Sequence, residues 1–171
     1  MASVRPEHTV APSLSGADGA RDAALRLLAR REYSTAEMRR KLTARGLSVA
    51  GIDAVLAALE HERLLCDHRF AESLSRLRID RGHGPVRIRA ELRERGVADE
   101  VIGEVITQTA EFWLVRARRV LAKRYGHDGR CGHTRLSLQE SREEWTRRAR
   151  FLAQRGFPSD LIYRALGSDD D

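Results

Sequence analysis

Apolar residues recur at helical spacing along most of the chain. Leu25 and Leu28 show this spacing near the start of the pattern, and the series Phe70, Leu74 and Leu77 shows it in the middle. No stretch alternates apolar and polar residues in the way that a half-buried strand does. The pattern predicts an all-α protein.

Both ends of the chain lack this spacing. Residues 1–20 mix Pro, Ser, Gly and Ala without a period, which is typical of a flexible tail. Residues 168–171 end in three aspartates, and we interpret them as a short acidic tail in solvent. We therefore expect the folded body to span residues 21–167.

A short motif occurs three times along the chain. Residues 42–47, 92–97 and 152–157 each begin with Leu, carry Arg and Gly at their fourth and fifth positions, and end on an apolar residue. An Ile follows each of these glycines after six residues. Agreement at so many offsets predicts an internal repeat with three diverged copies.

The motif has the chemistry of a helix stop. Gly takes the left-handed conformation after a helix at lower cost than a residue with a Cβ, and the next apolar residue then folds back onto the Leu, as in a Schellman motif. The Arg before each Gly lies at the negative end of the helix dipole, which favours a structural role over a binding role. The predicted helix-stop residues are Leu42, Gly46, Leu92, Gly96, Leu152 and Gly156, and the residues that fold back are Leu47, Val97 and Phe157.

Each repeat is predicted to contain three helices. Ser34 forms a capping box with Glu37, and Gly84 precedes Pro85, so both positions mark the start of a second helix. Because three short helices bury little surface alone, we expect the repeats to share core contacts in an elongated, curved array. The repeats span residues 21–65, 66–110 and 111–167. The first helices are placed near residues 19–32, 67–81 and 111–125, the second at 35–45 and 85–95, and the third near 49–60, 99–109 and 159–166.

The third copy departs from the other two. Its first and second helices are separated by ten extra residues, within an inserted loop at residues 127–141. Arg148 stands where the other copies carry Met38 and Ile88. We expect a rotated buried face here, supplied by Trp145, Ala149 and Leu152.

Composition narrows the class of partner. The net charge of +6 and the isoelectric point near 10.1 favour an acidic or polyanionic partner such as nucleic acid. No apolar run approaches the roughly 20 residues that cross a bilayer, and the N-terminus has no signal-peptide core, so we expect a cytoplasmic protein without a membrane partner. Cys66 and Cys131 are too few for a disulfide framework, and we interpret them as free thiols.

Arginines on the second helices form the candidate contact surface. In a projection at about 100° per residue, Ile88 and Leu92 mark the buried face of the middle repeat, and Arg89 and Arg93 fall side by side on one flank. The alternative is a solvated flank that binds nothing. The candidate contacts with an acidic protein surface or with DNA phosphates are Arg39, Arg40, Arg87, Arg89 and Arg93.

Four segments of the chain together resemble the RecX family. They are ALRLLARREYS at residues 24–34, DHRFA at 67–71, GHGPVRI at 82–88 and FLAQRGF at 151–157. The resemblance extends over about residues 21–167, and it departs from the family at Cys66, where an acidic residue is common, and in the long loop of the third repeat.

This resemblance implies a tandem three-helix-repeat protein. Such a protein binds RecA filaments on DNA, within the filament groove, and lowers the recombinase and ATPase activities of RecA. The resemblance therefore implies an inhibitory regulator of homologous recombination, DNA repair and the SOS response. We expect a monomer that is not itself an enzyme.

Direct DNA binding through the basic helical repeats is the alternative function. Short helices joined by glycine turns on a basic chain also describe helix-turn-helix domains. Tyr33, Trp113 and Trp145 could stack on bases, but aromatic residues in helical arrays usually belong to the core.

An enzyme is not predicted. The sequence has no Gly-rich phosphate loop, no Ser-His-Asp order and no zinc-protease helix, so we expect no catalytic residue and no cofactor. His127, Cys131 and His133 could ligate zinc together with Cys66 or His68, but no paired-cysteine spacing is present. We interpret the segment as an insertion loop and predict no metal.

Overall fold

The structure, a computed structural model, describes residues 17–46, 48–126 and 138–167. Within these ranges all regular secondary structure is helical and no strand occurs, which confirms the all-α class. None of the described helices has the length and apolar character that crossing a membrane requires. The helices are α1 (Ala17–Leu28), α2 (Thr35–Thr43), α3 (Val49–His61), α4 (Asp67–Asp80), α5 (Pro85–Glu94), α6 (Asp99–Val105), α7 (Ala110–Tyr125), α8 (Leu138–Gln154) and α9 (Ser159–Leu166).

The repeated motif ends α5 and α8 as predicted. Gly96 has a φ of 83°, and its N–H donates to the carbonyl oxygen of Arg93 at 2.9 Å. The N–H of Val97 donates to the carbonyl oxygen of Leu92 at 3.0 Å, so the pair of bonds is a Schellman motif. The third repeat has the same two bonds, from Gly156 to Ala153 and from Phe157 to Leu152. In the first repeat Gly46 also has a positive φ and donates to Thr43, whereas Leu47 lies outside the described residues.

The predicted helix starts are also confirmed. The Ser34 hydroxyl accepts a hydrogen bond from the backbone N–H of Glu37 at 3.0 Å, and Pro85 is the first residue of α5. Ser48 and Thr109 cap α3 and α7 in the same way. Each cap satisfies an N–H group that the first turn of a helix leaves without a partner.

The first helix begins earlier than the sequence suggested. It starts at Ala17 and ends at Leu28, so residues 17–20 are helical although the composition had assigned them to the N-terminal tail. Ala20 and Ala24 lie one turn apart and are both fully buried in the first repeat. The helical spacing here is carried by alanines, which a search for large apolar residues overlooks. Residues 1–16 and 168–171 lie outside the described residues.

The helices form two compact units that divide after Cys66. The first repeat has a core of its own, in which Met38, Leu42 and Leu59 are fully buried. The second and third repeats share one core, so the expectation of shared contacts is met between these two repeats. Its largest fully buried side chains are Ile88, Leu92, Ile102, Leu121 and Leu152.

The expected buried face of the third repeat is only partly correct, because Leu152 is fully buried but Arg148 is buried as well. Arg148 is 6% exposed, at the position where Met38 and Ile88 are buried, and Trp145 and Ala149 remain only half-buried. The aliphatic stem of an arginine can be buried when its charged end finds a partner. Arg148 ion-pairs with Glu144, one turn earlier on α8, and its guanidinium lies 5.2 Å from the ring centroid of Tyr125.

Candidate functional site

The candidate arginines of the first repeat lie on α2. Arg39 forms an ion pair with Asp53 of α3. Arg40 is exposed, and its side chain forms no hydrogen bond or ion pair with any residue that the structure describes. Arg40 is therefore the member of this pair whose charge is available to a partner.

The candidate arginines of the second repeat have partners within the same repeat or in the third. Arg89 donates to the backbone carbonyl oxygen of Ile106 at 2.8 Å, where α6 ends. Nε of Arg93 lies 2.6 Å from a carboxylate oxygen of Asp99. Arg87 donates to the carbonyl oxygen of Gln154 at 3.1 Å. The three side chains thus fix neighbouring elements, and Arg89 is half-buried and does not lie free on a flank.

Arg87 belongs to a joint between the second and third repeats. The N–H of Gly84 donates to the carbonyl oxygen of Arg155 at 2.8 Å, and the N–H of Val86 donates to that of Gly156 at 3.0 Å. In the other direction, Arg155 donates to the carbonyl oxygen of Arg81 at 2.8 Å. The joint therefore brings the α4–α5 turn against the end of α8, about 70 residues away in the sequence.

A basic groove lies beside this joint, and we call it the α7 groove. It encloses about 620 Å³ between the end of α4, one face of α7 and the end of α8. Asp80 and Gly82 complete the wall formed by α4. The groove is lined by the cations Arg81, Arg116, Arg119, Lys123, Arg124 and Arg155, and by the apolar residues Ile79, Val120 and Phe151.

Within the part of the chain that the structure describes, the positive charge of the α7 groove is largely unopposed by carboxylates. α7 carries five basic residues and a single acidic one, Glu111, which pairs with Arg164 outside the groove. Arg81, Arg119 and Lys123 form no ion pair with any carboxylate in the described ranges. Like charges this close raise the local positive potential, which attracts anions.

Two ionisable groups around α5 respond to the arginines that surround them. His83 lies next to the joint, where burial and the positive charges of Arg87 and Arg155 lower the pKa of its imidazole. Arg78 donates two hydrogen bonds of 2.6 Å to Glu91, and with Arg95 it lowers the pKa of that carboxyl group to about 2. The Glu91 charge is consequently neutralised by its own neighbours.

Sequence reasoning missed both the joint and the α7 groove. The joint has no sequence signal beyond its two glycines, because its partners are distant in the chain. The groove did have one, since Arg116, Arg119 and Lys123 are spaced three and four residues apart on α7. Projection of the second helices alone could not reveal it.

The candidate aromatic and metal sites have different outcomes. Tyr33 and Trp113 are buried in the cores of their repeats, which agrees with the core interpretation. Trp145 is half-buried against Tyr163, with 5.2 Å between the ring centroids. Cys131 and the histidines proposed as zinc ligands beside it lie outside the described residues. In the described part of the chain, no three potential ligands are grouped around a metal position.

Comparison of the chain with known proteins identifies the family to which its three repeats belong. Three models match the chain in order: the first RecX three-helix domain at residues 20–59, the second at 67–106 and the third at 114–166. The chain belongs to the RecX family. The three matches also confirm the threefold repeat read from the glycine motif, and each falls on one set of three helices in this RecX protein.

Relatives of this RecX protein match it over most of their length. It is 43% identical to the regulatory protein RecX of Halorhodospira halophila over 157 residues, which is 92% of each chain. The RecX protein of Chromohalobacter salexigens is 44% identical over 146 residues, which cover 85% of this chain and 90% of that one. The crystal structure of RecX from Lactobacillus salivarius superimposes with a TM-score of 0.71 at 23% identity, covering 87% and 93% of the two chains, and supports the fold.

Proposed function

We propose that this RecX protein binds RecA filaments on DNA and lowers the recombinase and ATPase activities of RecA. The observation that supports the proposal is similarity to proteins named regulatory protein RecX over 92% of the chain. All three repeats of the family are present in order. A protein of this kind acts in stoichiometric amounts by occupying a surface, and it needs no catalytic group or cofactor of its own.

The basic surface supplies a physical reason for the choice of partner. A filament on DNA presents phosphates and acidic side chains, which attract a protein with a net charge of +6 from a distance. Of the five arginines proposed as contacts, Arg40 needs no rearrangement to meet a partner, whereas Arg39 and Arg93 would have to release Asp53 and Asp99. We therefore assign Arg40 the largest contact role among them.

The test is a titration of the protein into RecA that is hydrolysing ATP on single-stranded DNA. ATPase activity should fall with added protein, at concentrations well below those that shift naked DNA in a gel. Arg40→Glu should raise the concentration needed for half-inhibition several-fold, because a repulsive charge then faces the acidic partner. Arg26→Glu, an exposed reversal on α1, is the matched control. Unchanged RecA ATPase at saturating wild-type protein would reject the proposal.

Direct DNA binding is the second candidate function, and the α7 groove is the observation that favours it. Its cations, which pair with no carboxylate among the described residues, can neutralise phosphates whether or not RecA is present. The two functions are distinguished by comparing the protein concentration that shifts naked DNA with the concentration that inhibits RecA. A protein that acts mainly on DNA should shift naked DNA at the concentrations that inhibit RecA, and its effect should disappear when competitor DNA is added.

A further inference from the structure

We propose that the α7 groove is a binding site for the phosphate backbone of a nucleic acid. The proposal rests on the proposed function in so far as that function involves DNA. It assigns the phosphate contacts to a surface that the second and third repeats form together, in place of the arginines on α2 and α5.

The first argument is the contrast in charge pairing. Arg78, Arg93 and Arg95, around α5, each lie against a carboxylate of their own repeat. In the groove, the side chains of Arg81, Arg119, Lys123 and Arg124 pair with no carboxylate in the part of the chain that the structure describes, and Asp80 is the only acidic residue on its walls. Cations grouped without counter-charges raise the local positive potential and so attract an external anion.

The second argument is the spacing of the cations. Arg116, Arg119 and Lys123 lie along one face of α7, over about 10 Å at 1.5 Å per residue. Measured along the axis of a duplex, where each strand carries one phosphate about every 3.4 Å, that length corresponds to about three phosphates. Arg81 and Arg155 stand on the other walls, at the ends of α4 and α8. A phosphate chain along α7 would therefore meet positive charge on more than one side.

The third argument is that the groove continues onto α8. A second depression, of about 1060 Å³, shares Arg124 and Phe151 with the groove. It is lined further by three cations, Arg142, Arg147 and Arg150, and by one carboxylate, Glu143. A single small anion needs neither this length nor this number of cations. An extended polyanion uses both, since each further phosphate contact adds to the affinity.

The fourth argument separates nucleic acid from an acidic protein. Interfaces between proteins have an apolar centre, whereas interfaces with DNA are more polar and much more positively charged. Exposed large apolar side chains of the described residues lie elsewhere, at positions such as Leu77, Val115 and Tyr163, and none lines the groove. The apolar residues that do line it are half-buried and pack against the shared core. Charged side chains therefore dominate the walls, and the apolar surface that is left there is small.

The test measures binding of full-length protein to a fluorescein-labelled oligo-dT and to a labelled duplex by fluorescence anisotropy, without RecA. The variant Arg119→Glu with Lys123→Glu reverses two exposed groove cations. The control, Arg30→Glu with Arg76→Glu, reverses two exposed arginines outside the groove and changes the net charge equally. Thermal melting should show both variants as stable as the wild type, because none of the four residues is buried.

The groove variant should bind at least about tenfold more weakly between 50 and 200 mM salt, and its salt slope on oligo-dT should fall by about 1.4, for two lost phosphate contacts. The control should keep the wild-type affinity within about twofold, since exposed charges away from the strand are screened. Binding of either probe that depends on the groove supports the proposal, and the two affinities identify the preferred form of nucleic acid.

Three results would overturn the proposal. The first is a groove variant that binds DNA with the affinity and salt slope of the wild type. The second is a control variant that loses as much affinity for DNA as the groove variant does. The third is displacement of the wild-type protein by poly-glutamate as readily as by unlabelled oligo-dT, which would assign the groove to an acidic protein. Because RecA is absent from this assay, its outcome is independent of the proposal that the protein inhibits RecA. DNA binding that depends on the groove, together with no inhibition of RecA, would reject only the RecA proposal. Inhibition of RecA, together with normal DNA binding by the groove variant, would reject only the groove proposal.

Discussion

A Cβ atom on Gly84 would lie 2.4 Å from the carbonyl oxygen of Gly156. The approach is equally close in the other direction, because a Cβ on Gly156 would lie 2.4 Å from the Cβ of Arg87. Two backbone hydrogen bonds cross at this point, so the second and third repeats meet main chain against main chain. Such an approach requires glycine on both sides.

Substitution of Gly84 tests the joint. Gly84→Ala should lower the free energy of unfolding by about 1–3 kcal/mol, because the added methyl group overlaps backbone that cannot move without breaking the hydrogen bonds between repeats. Gly103→Ala is the control, since a Cβ there meets nothing within 4 Å on the exposed side of α6. That control should gain about 0.5–1 kcal/mol from helix propensity. Urea denaturation measures the free energy of unfolding of both variants. Equal changes in the two variants would contradict the close backbone contact at Gly84.

Substitution of Leu92 tests the helix stop and the shared core. Leu92 is fully buried, and its carbonyl oxygen accepts the bond from Val97. Leu92→Ala should cost about 2–5 kcal/mol in thermal or urea melting, from lost burial and the cavity that remains. Leu77→Ala, at a position that is 45% exposed, should change stability far less. Similar losses in the two variants would show that Leu92 is not the core residue described above.

Acid should weaken the second unit through Glu91. The pKa of its carboxyl group is lowered from 4.5 to about 2, because Arg78 and Arg95 donate hydrogen bonds to the carboxylate. A lowered folded-state pKa gives stability that is present above pH 4.5 and is lost as the pH falls towards 2. Glu91→Gln should therefore cost about 2–3 kcal/mol at pH 7 and much less at pH 3. Glu94→Gln, at an exposed position on the same helix, should show no such pH dependence in urea melts.

Arg148 tests whether a buried arginine can stand for an apolar residue. Arg148→Met keeps the length of the stem and restores the residue type of the first repeat, so it should stay within about 1.5 kcal/mol of the wild type. Arg148→Ala leaves a cavity and should cost about 2–5 kcal/mol. Thermal melting of the two variants gives the comparison. Equal losses would show that the pairing with Glu144 contributes more than the packing of the stem.

The parts of the fold that depend on neighbouring residues were predictable from the sequence. Gly96 and Ser34 end and begin helices through bonds that span three to five residues, so their spacing predicts the elements directly. Arg148 was misjudged because residue type alone does not show that Glu144, one turn earlier on the same helix, ion-pairs with a buried guanidinium.

The candidate site was less predictable for the same physical reason. Arg89 looked like a surface residue in a helical projection, but the carbonyl oxygen that it binds lies seventeen residues away, at the end of α6. The α7 groove depends on three elements that meet only in the folded chain. A projection describes one helix at a time, and it cannot show what stands opposite.

Because two main-chain hydrogen bonds cross the joint at Gly84 and Gly156, the angle between the second and third repeats is not set by side chains alone. Substitutions on the surface can alter what the two repeats bind, but they leave the pair aimed in the same direction. The second and third repeats therefore keep a fixed relative orientation. A change in that angle would therefore need a change at the joint itself, such as a side chain at Gly84 or Gly156, since substitutions on the exposed surface leave its main-chain hydrogen bonds in place.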